Sequence, residues 1–435
     1  MKAKIYLILG AVLVTTLANA QKSKLWTLQQ CVDTALANNR NVKQQILTKK
    51  TREISYDQAR KNLLPNLNGS ASQNWNFGRS LTVDNTYQST NSSQASFGLS
   101  TGITIFDGFK MKRNIDLAKS EMYASEADLE KIKQDITVNV AAGFLQILLN
   151  KELLQIAVDQ LDLTKTKIEQ RKALVASGKM SEGELYDLIA QESKEELNRL
   201  RADNTLKLSL LDLAQFLELE NFENLDIVAP SNLSESDLHF LSAEEVLQSA
   251  LTHRPEIKGA EYRLKSSLYN VQIAKGSYYP TLSFGANYGT NYYNISNIPN
   301  KSFSQQIKDN KSTSFGFNLQ VPIFNKFATR NNVRSAEISV KSNSIAVDNA
   351  KLELKKTIQQ AYYNALGAKS RWEAANKSEI ASREAYRFTN QKYEAGRATL
   401  YELYQSKSNL TQVLSEQAQA KYEYFFRVKL LELMK

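Results

Sequence analysis

Leu67-Asn68-Gly69-Ser70-Ala71-Ser72-Gln73-Asn74-Trp75-Asn76-Phe77 alternates with period two. Leu67, Gly69, Ala71, Trp75 and Phe77 share one face, and Asn68, Ser70, Ser72, Asn74 and Asn76 share the other. Three further segments read the same way. Phe97, Leu99, Ile103 and Ile105 oppose Ser96, Ser100 and Thr104. Leu282, Phe284, Ala286, Tyr288 and Tyr292 oppose Ser283, Asn287 and Asn291. Phe315, Phe317, Leu319 and Val321 oppose Ser314, Asn318 and Gln320. Each segment is about ten residues, the length of a tilted transmembrane strand. The polar faces are rich in Asn, Ser and Gly and nearly free of charge, which suits a water-filled lumen. A soluble sandwich with the apolar faces as its core is the alternative. The smallest membrane barrels have about eight strands, so a barrel requires several chains. The loops 78–95 and 293–312 are polar and are expected to face outside.

Working outward, the first segment is preceded by Leu64-Pro65-Asn66-Leu67, which returns about 215 residues later as Tyr279-Pro280-Thr281-Leu282. Ala35 to Lys43 returns as Ala250 to Lys258, and Ser96-Phe97-Gly98 as Ser314-Phe315-Gly316. Ser177-Gly178-Lys179 returns as Ala395-Gly396-Arg397, and Glu184-Leu185-Tyr186 as Glu402-Leu403-Tyr404. This period is far too long for a solenoid unit. The chain is a duplicated module, with a first repeat over 21–229 and a second over 230–435.

Between the alternating segments lie glycine-poor stretches with helical spacing, at 27–62, 110–176, 182–220, 242–276, 328–394 and 399–433. The two longest would each reach ~100 Å, a length that points to coiled-coil packing. Leu403, Leu410, Gln417, Tyr424 and Leu431 form one seven-residue ladder, and Leu400, Lys407, Leu414, Lys421 and Val428 another beside it. Two adjacent seams let a helix pack against neighbours on both sides. Pro65 and Pro280 end helices, Pro322 closes a strand, Pro230 lies between the repeats and Pro299 in a loop. Pro255 is expected to split 242–276, taking the first position of its second helix.

Residues 1–20 read as a secretory signal: Lys2 and Lys4, an apolar run from Ile5 to Leu17, and an Ala18-Asn19-Ala20 cleavage site. Its removal takes two lysines from the net charge of +10, leaving +8. That surplus is spread along the chain and reads as solvated helix faces, not as a nucleic-acid site. The mature chain is expected to lack any apolar stretch of ~20 residues, so that only a β-barrel would place it in a membrane. The single cysteine, Cys31, excludes an internal disulfide and lacks a lipoprotein context. The two histidines, His239 and His253, fall in no ligand pattern. No metal, cofactor or catalytic constellation is expected, and the chain has no nucleotide-binding loop.

Taken in order, the signal segment, the opening Trp26-Thr27-Leu28-Gln29-Gln30-Cys31, both helix-Pro-strand junctions, the strand-to-helix junctions near Phe106 and Phe324, and the two glycine turns resemble the outer-membrane efflux protein (TolC) family. The resemblance covers nearly all of the mature chain. It implies a mixed fold: a long α-helical coiled-coil barrel plus four transmembrane strands per protomer, completing a 12-stranded barrel in a homotrimer. The protein would sit in the outer membrane, in contact with its lipid, and extend into the periplasm. Its partners would be a periplasmic adaptor and an inner-membrane transporter.

Within this resemblance two regions carry function. Gly178, Lys179 and Met180, with Gly396, Arg397 and Ala398, fall on the periplasmic tips that dock the adaptor. The family has an apolar residue after each glycine, whereas Lys179 and Arg397 stand here and imply a more electrostatic contact. Glu184, Asp187, Tyr393, Glu402 and Gln405 fall on the pore constriction, with Tyr393 paired to Glu184. Ala398 replaces the family's gate arginine. Threefold symmetry would bring three Glu402 carboxylates around the pore and favour cations. The implied function is a passive exit duct for small molecules in a tripartite efflux pump. The outer duct of a type I protein-secretion system would use the same architecture. A soluble periplasmic coiled-coil protein is the reading from a different class.

Overall fold

The computed structural model describes residues 24–81, 85–89, 91–178, 181–219, 225–229, 242–296 and 299–435. The signal segment, Lys179, Met180, Pro230 and His239 lie outside the described residues.

The first repeat runs β1 (Lys24–Trp26), α1 (Leu28–Asn38), α2 (Arg40–Lys61), β2 (Asn66–Asn76), β3 (Arg79–Leu81), β4 (Tyr87–Ser89), β5 (Ser92–Phe106), α3 (Lys110–Ala176), α4 (Glu182–Phe216) and β6 (Leu225–Ile227). The second runs α5 (Ala243–His253), α6 (Pro255–Gly276), β7 (Thr281–Ile295), α7 (Phe303–Asp309), β8 (Ser312–Gln320), α8 (Ala328–Glu394) and α9 (Leu400–Met434). Helix lengths recur between the two halves of the chain. α1 and α5 have 11 residues each, α2 and α6 22, α3 and α8 67, and α4 and α9 35.

Two expectations need correction, on the stretch 27–62 and on α3, and two further features were not anticipated. The stretch 27–62 is two helices, not one. Asn39 leaves the helical region at ψ 129, and its side chain accepts from the Asn41 N–H at 2.9 Å. Arg254, ahead of Pro255, breaks the second repeat with nearly the same backbone, φ −66 and ψ 130. An asparagine cap thus does in one repeat what proline does in the other. The two polar loops are not wholly irregular, since they hold the β3–β4 hairpin and α7. A short parallel pair, β1 with β6, escapes the periodicity because three residues are too few to show a period. Finally, α3 contains a stretch that is long and apolar enough, by composition, to cross a membrane. That run supplies core instead: Val140, Ala141, Phe144, Ile147 and Leu148 are all buried.

The chain forms two compact units, and each repeat contributes to both. One unit comprises Gln44–Lys131 and Ala250–Lys355 and is built on a four-stranded sheet of order β2-β5-β7-β8, antiparallel throughout. Its register sets Ala71 against Phe97, Leu99 against Tyr288, Ile103 against Phe284, and Phe284 against Phe317. Over this register the four apolar rows share one face and the four Asn/Ser/Gly rows the other, except that a bulge after Thr104 sets Phe106, and not the expected Ile105, against Leu282. A slip of one residue in any strand would mix the two faces. The apolar face is largely bare, with Leu67 74% and Phe315 77% exposed. No second layer covers it among the described residues, which removes the basis for a sandwich. Among the described residues, β2 and β8 have no partner strand along their outer edges. β8 is shorter than β7, and α7 covers the edge that this leaves open. Gln306 accepts from the Tyr293 N–H at 2.9 Å and donates to its carbonyl at 2.8 Å, while Asn310 donates to the Asn291 carbonyl at 2.8 Å.

Where the sheet gives way to long helices, the two repeats use one elbow. Phe106 and Phe109 meet edge to face at 5.4 Å, and Phe324 and Phe327 at 5.7 Å. Two successive residues are left-handed at each elbow: Gly108 and Phe109 at φ 71 and 64, Lys326 and Phe327 at φ 56 and 62. Gly108 has a second constraint. A Cβ there would lie 2.2 Å from the Gly276 carbonyl oxygen.

The other unit, with Ile132–Ser249 and Lys356–Lys435 as its larger parts, is a helical assembly. The first ladder of α9 is its seam: Leu403, Leu410, Tyr424 and Leu431 are buried. Trp372 stacks on Tyr424 at 5.3 Å, with Ala368, Ala420 and Val428 around them. Each polar rung of the ladders finds a partner. Gln417 donates to Asn376 at 3.0 Å, Lys421 pairs with Glu152 at 3.0 Å, and Lys407 pairs with Glu195 at 2.9 Å.

Candidate functional site

Of the residues expected at the tips, Gly178, Gly396, Arg397 and Ala398 are described, and they lie where the long helices turn. Gly396 follows α8 at φ 71, its N–H donating to the Tyr393 carbonyl at 3.0 Å, and the Arg397 N–H donates to the Lys392 carbonyl at 2.8 Å. These are the two hydrogen bonds of a Schellman turn, whose left-handed residue favours glycine. Gly178 follows α3 at φ 70 and donates to the Val175 carbonyl at 2.8 Å. Among the described residues nothing lies within 4 Å of a Cβ built on either glycine, so conformation and not space selects the residue. Arg397 is exposed and Ala398 half-buried.

Both returning helices open with the same spacing, Ser181-Glu182-Gly183-Glu184 and Thr399-Leu400-Tyr401-Glu402. Their carboxylates do different things. Glu402 completes a capping box with Thr399: its Oε2 accepts from the Thr399 N–H at 2.6 Å and from its hydroxyl at 3.0 Å. These bonds from Thr399 hold the Glu402 carboxyl below its ordinary range. Ser181 makes no such bond, and Glu184 turns elsewhere. Its Oε2 accepts from the Tyr393 hydroxyl across the repeats at 3.5 Å. Glu184 and Tyr393 are thus brought together, whereas Asp187 and Gln405 are exposed.

Tyr393 has more neighbours than the spacing suggests. The Arg171 guanidinium lies 4.8 Å from its ring centroid, and the Lys167 ammonium 5.9 Å. Lys167 donates to the Asn390 side chain, which in turn donates to Glu394 at 2.8 Å. Burial and the Glu184 carboxylate push the Tyr393 hydroxyl up, and Arg171 opposes them. Burial pushes Lys167 down.

Next to this group lies a buried polar cluster. Lys407 is 5% exposed and Glu195 7%. The Lys407 ammonium donates to Glu195 Oε1 at 2.9 Å, to the Gln160 carbonyl at 2.9 Å and to the Thr164 hydroxyl. Gln191 adds a bond to Glu195 at 2.8 Å. Burial and the Glu195 charge drive the Tyr404 hydroxyl well up, so it stays protonated. A lysine interrupting an apolar ladder, and a Thr-x-x-Glu sequence opening a helix, are the signals that could have flagged Lys407 and the Glu402 cap. Arg171 and Glu195 carry none, because their partners lie on other helices. Among the described residues, no group of His, Cys, Asp and Glu is arranged to hold a metal.

Comparison with known proteins bears on this architecture. The family model for outer membrane efflux protein matches residues 31–217 and 246–429, one match per repeat. Protein CyaE of Bordetella pertussis is 22% identical, over 70% of this chain and 63% of its own. This chain therefore spans a little under two thirds of that relative. Outer membrane protein OprJ of Pseudomonas aeruginosa is 25% identical, over 85% of this chain and 75% of its own. Among solved structures, the Campylobacter jejuni CmeC outer membrane channel superposes with a TM-score of 0.79 at 20% identity, covering 94% of this chain and 85% of its own. At that identity the likeness establishes the fold.

Proposed function

We propose, since this chain belongs to the outer membrane efflux protein family, that three copies close one passive exit duct through the outer membrane. The sheet carries this reading. Its four strands are too few to close alone, and among the described residues its outer edges are open and its apolar face is largely bare. Three chains of four strands make a barrel of twelve, with the Asn/Ser/Gly face lining the lumen and the apolar face meeting lipid. Aromatic residues stand at or just beyond both ends of the sheet, as in the girdles of membrane barrels: Trp75, Phe77 and Tyr292 at one end, Phe106, Tyr279 and Phe324 at the other.

The helices support the same assembly. In α8, Ile338, Ile345 and Leu352 form a seven-residue ladder that is 67%, 59% and 65% exposed. Leu47 and Ile54 repeat the spacing on α2 and are also exposed. Such seams need partner helices, and further copies of the chain supply them.

The tips at Gly178 and Gly396 would meet a periplasmic adaptor, and an inner-membrane transporter would supply energy and choose the cargo. Glu184, Asp187, Tyr393, Glu402 and Gln405 would narrow the entrance. Native mass measurement of the detergent-purified protein tests the assembly. A trimer is expected, and a stable monomer would overturn it. Cross-linking in cells followed by purification tests the partners. Recovery of an adaptor and transporter is expected, and their absence at both tips would return the chain to a structural role.

A further inference from the structure

We propose that Arg171 supplies the cation that holds the entrance closed, through the face of the Tyr393 ring. This rests on the reading of Tyr393 and Glu184 as part of the constriction. The position on which the resemblance places a gate arginine holds Ala398, a methyl group with no charge to offer. The cation comes instead from α3, the long helix of the other repeat.

Three helices meet at one ring. Tyr393 ends α8, its hydroxyl faces Glu184 on α4 at 3.5 Å, and the Arg171 guanidinium covers its ring at 4.8 Å. Glu184 therefore holds the rim of the ring and Arg171 its face. Lys167, one turn earlier on the same side of α3, lies farther from the ring, at 5.9 Å, and donates to Asn390. Among the described residues Arg171 makes no ion pair, and its guanidinium lies over the Tyr393 ring. A guanidinium on a partly buried ring is attracted by the ring quadrupole and anchored less by water than an ammonium would be. Any separation of Tyr393 from α3 and α4 breaks both contacts together, so Arg171 opposes that separation. It is a positioning residue: it touches no cargo and acts through Tyr393.

Conductance of the full-length channel in planar bilayers tests this. Arg171→Ala is expected to raise the open fraction about two- to fivefold, the range that one partly exposed cation–π contact corresponds to. Arg171→Lys should recover part of the closure. In a Tyr393→Leu background, Arg171→Ala should add nothing, because the ring is already gone. Trimer yield should be unchanged in every variant, which separates gating from assembly. If Tyr393→Leu opens the channel and Arg171→Ala leaves it as it was, the constriction stands and Arg171 is an ordinary surface charge. If neither variant changes conductance, the constriction lies elsewhere and the proposal falls with it.

Discussion

Replacing Lys407 by methionine removes the centre of the buried polar cluster. The Lys407–Glu195 pair spans 2.9 Å, with side chains only 7% and 9% exposed. At an effective dielectric near 20 that separation corresponds to about 6 kcal/mol of attraction. Taking two ions out of water costs several kcal/mol each. The intact pair is therefore close to balance, aided by the Gln160 and Thr164 acceptors. Lys407→Met removes the attraction and leaves the Glu195 carboxylate buried. One donor remains to it, Gln191, and its Oε2 already has no partner among the described residues. The expected loss is about 3–5 kcal/mol. Adding Glu195→Leu removes the stranded charge and should recover most of it. Guanidinium titration of the helical circular dichroism signal, in detergent, measures both variants. A loss below about 1 kcal/mol for the single variant, or a double variant less stable than the single, would refute the reasoning.

A lysine at Leu99 or Phe317, on the bare apolar face, should cost roughly 2–4 kcal/mol near mid-membrane and lower trimer yield; normal yield from both would contradict the lipid-facing assignment. Valine at Gly178 and Gly396 forces a β-branched residue into a left-handed turn, at about 1–2 kcal/mol each; drug-accumulation assays should report lost efflux from channels that still assemble. Gly108→Ala should fail to assemble because its Cβ meets the Gly276 carbonyl. Lys326→Gly, in the equivalent elbow, should raise the unfolding midpoint slightly, because Lys326 is left-handed at φ 56. The Glu402 cap should respond to acid. Its carboxyl is held below the ordinary value of 4.5, so its contribution is full above that pH and disappears as pH falls through the lower folded value. Hydrogen exchange in the first turn of α9 should quicken over that window in the parent and be insensitive to it in Glu402→Gln.

Much of this protein was legible in the order of its residues. Alternation is a local property, so Leu67–Phe77 and its three relatives announced strands with one apolar face. Helical spacing and the absence of interior proline announced the 67-residue helices. Repetition of whole motifs announced the duplication, because two copies of one module conserve the punctuation that ends each element. What depended on tertiary structure is which residues meet. The register that puts four apolar rows on a single face arises from pairing between strands as distant as β5 and β7. The break at Asn39 needed its side-chain cap, for which no proline gave notice. Glu184 and Glu402 occupy equivalent positions, yet one reaches Tyr393 and the other caps its own helix. The shared Ser/Thr-x-x-Glu spacing does not distinguish them, because Glu184 takes its partner from the neighbouring helix. Arg171 over Tyr393 and Lys407 against Glu195 join residues more than two hundred positions apart. Periodicity reports which face of a helix is buried, and only the packed chain decides what that face is buried against.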